Sequence, residues 1–190
     1  MAKDVDFGAM DNDIFVEQII RKQKTSKEYA IMAGVIAGGL VLILLVMMIP
    51  LLRFFLAFII CGVGYGVWWM IISQNIEYEY SVTNGDIDID QIIGKRRRRR
   101  VVSVGGSKIE SFGRYSSAAF AGRKFDREVM AAPSPDADGV YYFTYHSKKN
   151  GHTVVLFQPD ERVRAALVKG LPNLLQIEYR RQEAGNTPES

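Results

Sequence analysis

Hydrophobic and polar positions fall into two separate regimes along this chain. From Ala30 to Ser73 the residues are almost all apolar, and Arg53 carries the only charge. A helix rises about 1.5 Å per residue, so a hydrocarbon core of about 30 Å needs roughly 20 apolar residues. Residues 30–49 supply one such length and residues 54–73 a second. Between them Pro50-Leu51-Leu52-Arg53 removes a backbone donor and places a charge that hydrocarbon tolerates poorly. The pattern predicts a transmembrane helical hairpin over 30–73, because one unbroken helix would be about twice as long as a bilayer is thick.

After Ser73 the period changes to alternation. Ile76, Tyr78, Tyr80 and Val82 alternate with Glu77, Glu79 and Ser81. Asn84-Gly85 follows, a type I′ hairpin signal, and then Asp86, Asp88 and Asp90 alternate with Ile87 and Ile89. With Asn84-Gly85 as the central pair, Val82 faces Ile87, Tyr80 faces Ile89 and Glu79 faces Asp90. Further strands are expected over 99–104, 127–131, 140–146 and 152–158, the last pair joined by Asn150-Gly151. That turn would pair Lys149 with His152 and set His146 opposite Val155. Residues 116–122 and 132–136 read as loops. Asp160 can cap a closing helix over 160–170, with Val163, Ala166 and Leu167 on its buried side and Pro172 beyond its end. The β domain then occupies 74–172, and 173–190 is expected to be a largely disordered tail. Before the first span, Asn12 or Asp13 could cap an amphipathic helix within 1–29, with Ile14, Phe15, Ile19 and Ile20 on one face.

Charge adds orientation. Arg21, Lys22, Lys24 and Lys27 precede the first span, Lys95 to Arg100 follow the second, and the turn holds only Arg53. The positive-inside rule places both termini in the cytoplasm and the turn outside, in a multi-pass inner-membrane protein. Gly34 and Gly38 in the first span, and Gly62 and Gly66 in the second, stand four apart on one helix face. They predict close helix packing, either within the hairpin or with a second copy. The single cysteine, Cys61, makes no internal disulfide.

Several short strands closed by one C-terminal helix resemble a pleckstrin-homology-like barrel. The layout is similar to a bacterial family of small two-span membrane proteins with such a cytoplasmic domain. The residues that carry the resemblance are IEYEYSVTNGDIDIDQIIGKRRRRR (76–100), IESFGRY (109–115), VYYFTY (140–145) and VLFQPD (155–160). It implies an α+β fold, an antiparallel β-barrel-like PH-like domain with a C-terminal capping helix after the membrane hairpin, and it implies no reaction.

The basic run Lys95, Arg96, Arg97, Arg98, Arg99 and Arg100 is the main candidate for chemistry. Three readings compete. The run could meet acidic headgroups, since the Asn84-Gly85 turn returns the chain to where it left the membrane. It could neutralise Glu77, Glu79, Asp86, Asp88 and Asp90 on the neighbouring strands. It could bind nucleic acid, although 18 basic against 15 acidic residues over 76–190 make a weak footprint. Calcium at Asp86, Asp88 and Asp90 is disfavoured, because an EF-hand loop needs glycine where Gln91 stands. His146 and His152 lack a nearby cysteine to complete a zinc set, and no nucleophile elbow or phosphate loop appears. No metal or cofactor is expected. The sequence predicts a non-catalytic, membrane-tethered binding or scaffold module, with the bilayer, acidic headgroups, another membrane protein or itself as partners. The alternative is a regulator that binds an anionic ligand or nucleic acid through the arginine run.

Overall fold

Residues 30–73 form the body of a helix pair because, Arg53 apart, they carry no charge, are apolar on almost every side and are broken once by proline. In the computed structural model, which describes residues 14–120, 122–135 and 137–185, α1 (Ser26–Met48) and α2 (Leu56–Ser73) are joined by a 3-10 turn over Pro50–Phe55. Pro50 opens that turn, where its missing N–H costs nothing. Arg53 Nε donates to the Met47 carbonyl at 2.9 Å, which satisfies an acceptor left open at the end of α1. Both helices are long and apolar enough to cross a membrane. Leu40, Leu44, Leu45, Phe58, Trp68 and Trp69 all point outward.

The chain divides into two units: residues 21–77 with 92–98, and the remaining described residues. Among the described residues, eight strands form two four-stranded sheets, ordered β1-β2-β3-β4 and β5-β7-β8-β6. The first holds β1 (Phe15–Arg21), β2 (Ile76–Thr83), β3 (Asp86–Ile93) and β4 (Arg97–Val104). Asn84 and Gly85 have φ of +51° and +88°, as the type I′ turn requires, and Tyr80, Val82, Ile87 and Ile89 are all fully buried. The second sheet holds β5 (Ile109–Arg114), β6 (Arg127–Met130), β7 (Tyr141–Ser147) and β8 (Gly151–Phe157), with the short helix α3 (Ser117–Phe120) between β5 and β6. The helices α4 (Glu161–Gly170) and α5 (Asn173–Gly185) complete the chain.

An aromatic cluster ties the second unit together. Tyr80 and Phe143 both meet the Phe157 ring edge-on, at 5.7 and 5.2 Å between centroids. The Tyr80 hydroxyl donates to the Ala131 carbonyl at 2.6 Å and accepts from the Gln158 amide at 3.2 Å. Burial pushes that phenol well above its ordinary pKa, against the Gln158 bond that lowers it. Asp160 caps α4 as expected, accepting from the Val163 amide at 2.8 Å, and Val163, Ala166 and Leu167 are buried.

Several expectations need correction. The sheets do not close into a barrel, and β6 runs parallel to β8 rather than antiparallel. Residues 15–21 form a strand, not an amphipathic helix. Their burial alternates, the Asn84 amide donates to the Ile14 carbonyl, and Gln18 bonds both Gln158 and Asp160. The apolar pairs Ile14–Phe15 and Ile19–Ile20 fit a helix face, but the free edge of β2 offers main-chain partners that an isolated helix lacks. The proposed caps Asn12 and Asp13 lie outside the described residues, as do Asp136 and residues 186–190. The expected disordered tail is helical over 173–185. Tyr179 packs on Phe112 at 5.4 Å, and Tyr141 donates to Glu183 while accepting from Arg164. Residues 117–120 are helical where a loop was expected.

Candidate functional site

The basic run begins in a turn that the backbone fixes tightly. Gly94 and Lys95 both have left-handed φ, +59° and +58°. The Gly94 amide donates to the Asn75 carbonyl at 2.8 Å. A Cβ on Gly94 would press on Ile72 at 2.9 Å, so glycine is required by both space and conformation. The turn is thereby latched to the C-terminal end of α2, and the chain does return to where the second apolar helix ends. Arg96 continues this contact, with its guanidinium 5.6 Å from the centre of the Trp68 ring.

Farther along β4 the run meets acid. Arg100 lies 3.2 Å from Asp88 and donates to Asp90 at 3.1 Å. The Asp90 bond, then the Asp88 charge, raise its already high pKa. Arg97 and Arg99 are exposed and form no salt bridge among the described residues. The run thus splits between a contact with the helix end, a contact with the acidic strand, and exposed charge.

A cavity of about 200 Å³ opens where the helix pair meets its flanking strands. Arg21, Lys22, Lys24, Gln74, Glu77 and Lys95 line it. The end of β1 places the first two, as the Lys22 amide donates to the Ile76 carbonyl at 3.0 Å. Arg21 pairs with Glu77 at 2.9 Å, and Lys22 with Glu28 at 2.6 Å. Glu28 is fixed in turn by the Thr25 amide at 2.9 Å, in a capping box that starts α1. In the sequence Arg21, Lys22 and Lys24 mark only the orientation of the spans, and nothing in it singles out Gln74. What joins them is the β1–β2 pairing, which the helical reading of residues 15–21 concealed.

Of the two glycine packings expected, the one within the hairpin is not the one that forms. A Cβ at Gly34, Gly38, Gly62 or Gly66 would meet nothing within 4 Å, whereas at Gly39 it would overlap Val63 at 2.6 Å. The helices cross one residue off the predicted face, and the four glycines look outward. The histidine register is corrected too, since His146 stands directly opposite His152. Gly151 has φ of +66° while Asn150 is not left-handed, so the type I′ geometry that would pair Lys149 with His152 does not form. Asp126 fills the space beside Gly151 and accepts from the His152 amide at 2.8 Å. His152 Nε2 lies 3.3 Å from Glu110. Among the described residues no three metal-binding side chains converge.

Two four-stranded sheets and a capped closing helix define a PH-like α+β module whose chain carries two candidate spans between its first and second strands. The chain belongs to the family described as "Bacterial PH-like domain (DUF6106)", whose model matches residues 12–176 and so includes both apolar helices. No curated protein and no solved structure matches it.

Proposed function

We propose that this protein is a membrane-tethered, non-catalytic binding module. α1 and α2 span the inner membrane with both termini cytoplasmic, and the β domain is held at the inner surface. The observation that carries this reading is the apolar residues exposed around both helices: in water such a surface far exceeds the patches soluble monomers present, and in lipid it needs no cover. The arrangement at the helix ends supports the orientation. Arg21, Lys22, Lys24 and Lys95 gather where α1 begins and α2 ends, and Arg97 and Arg99 are free to meet acidic headgroups, each worth about 1 kcal/mol near an anionic leaflet. The outward glycines Gly34, Gly38, Gly62 and Gly66 fit lateral association with a second copy or another membrane protein. Washing cell membranes with alkaline carbonate tests the tether. The chain is expected to remain in the pellet, and its release would overturn the reading.

A further inference from the structure

We propose that the cavity between the start of α1 and the end of α2 binds a phosphate ester, with a hydroxyl or ammonium group of that ligand donating to Gln74. Arg21 and Lys22 are already paired with Glu77 and Glu28. They shape the wall and leave it positive. Lys24 and Lys95 form no salt bridge among the described residues, so their charge is available to an anion inside a concave site. Lys95 holds its place in a left-handed backbone conformation that a lysine pays for and a glycine would not. The latch from Gly94 to Asn75 fixes that conformation beside the cavity.

Gln74 supplies the second, independent sign. Its Oε1 is buried and has no hydrogen-bond partner, a condition native structures rarely leave uncompensated. Lys24 and Lys95 attract a phosphate, while a waiting carbonyl oxygen calls for a donor next to it. Phosphate esters of glycerol or ethanolamine carry both features within a few bonds. A cavity of about 200 Å³ has the liquid volume of roughly seven waters, enough for such a group. If the ester is a lipid headgroup, the proposal rests on the tether reading; a soluble ester does not require it.

The test uses the full chain in mild detergent, followed by native mass spectrometry. Phosphatidylglycerol supplies phosphate and hydroxyl donors, phosphatidylcholine supplies neither net charge nor donor, and glycerol 3-phosphate is the soluble counterpart. The wild type is expected to retain phosphatidylglycerol over phosphatidylcholine. Lys24→Gln with Lys95→Gly should weaken that retention roughly thirtyfold, about fivefold per cation. The melt should hold or rise, because glycine accepts the left-handed turn more readily. Gln74→Leu should weaken retention about fivefold while the melt holds or rises. Saturation by glycerol 3-phosphate, with the same sensitivity to the variants, would assign the site to a soluble ester; preference for the lipid alone assigns it to a headgroup. Unchanged binding of both in the double variant, or binding of neither by the wild type, would overturn the proposal. Carbonate extraction of the same variants keeps the two readings apart: the double variant should stay in the membrane, and release of the wild type would remove the tether without touching the soluble-ester arm.

Discussion

Replacing Leu167 by aspartate is expected to abolish the cooperative melt of the β domain while leaving the helix pair intact. Leu167 is fully buried, beside Val163 and Ala166 on the inner face of α4. Truncating such a leucine to alanine removes about 2–5 kcal/mol, and a buried carboxylate adds its own desolvation. The total, more than about 4 kcal/mol, rivals the whole margin of about 5–15 kcal/mol by which a domain is stable. Near-ultraviolet circular dichroism of the full chain in detergent reads this through the aromatic cluster around Phe157. The sign of the pH effect follows from burial. Desolvation raises the carboxyl's folded-state pKa, so the penalty is smallest when the group is protonated, and the melt should partly recover as pH falls toward about 4. A melt like that of the wild type at neutral pH would mean α4 does not close the domain.

The second large effect is expected at Gly170. Here three glycine backbones meet: a Cβ on Gly170 would overlap the backbone of Gly85, and one on Gly106 would overlap the carbonyl oxygens of both. The β2–β3 turn and the end of α4 therefore touch without any side chain between them. Gly170→Ala should destabilise the domain by about 3 kcal/mol, the upper part of the range for overpacking, because the atoms in the way are backbone and cannot rotate aside. Gly139→Ala is the control. Gly139 has φ of +75° but open space around its Cβ position, so only the conformational penalty of about 1 kcal/mol applies. Thermal melts of the two variants measure the difference, and equal losses would show that the glycine junction is not tightly packed.

The parts of this fold legible in the sequence are those governed by local chemistry. Asn84-Gly85 dictates a turn whatever surrounds it, and Asp160 caps α4 through a bond three residues away. The length and apolarity of the two helices needed no tertiary information either. What escaped was decided by distant partners. Strand β1 exists because β2 offers an edge, and its short run satisfies helical and strand spacing equally. Helix α5 exposes Leu174 and Ile177 and is held instead by the Tyr179 ring and by Glu183, contacts that hydropathy does not register. The Asn150-Gly151 turn misled because only its glycine adopts left-handed φ. The cavity escaped for the same reason as β1: its cations come from segments more than 50 residues apart in sequence, joined only by sheet pairing.

The claim on which the functional account depends is that α1 and α2 cross the inner membrane with the β domain inside. Single cysteines at Leu51, in the exposed turn between the helices, and at Ser107, on the surface of the β domain, test it in a Cys61→Ser background. That background is needed because Cys61 is itself exposed on α2. Treated with a membrane-impermeant thiol reagent, intact cells are predicted to show labelling at position 51 and none at position 107. Labelling at 107 with none at 51 would contradict the account.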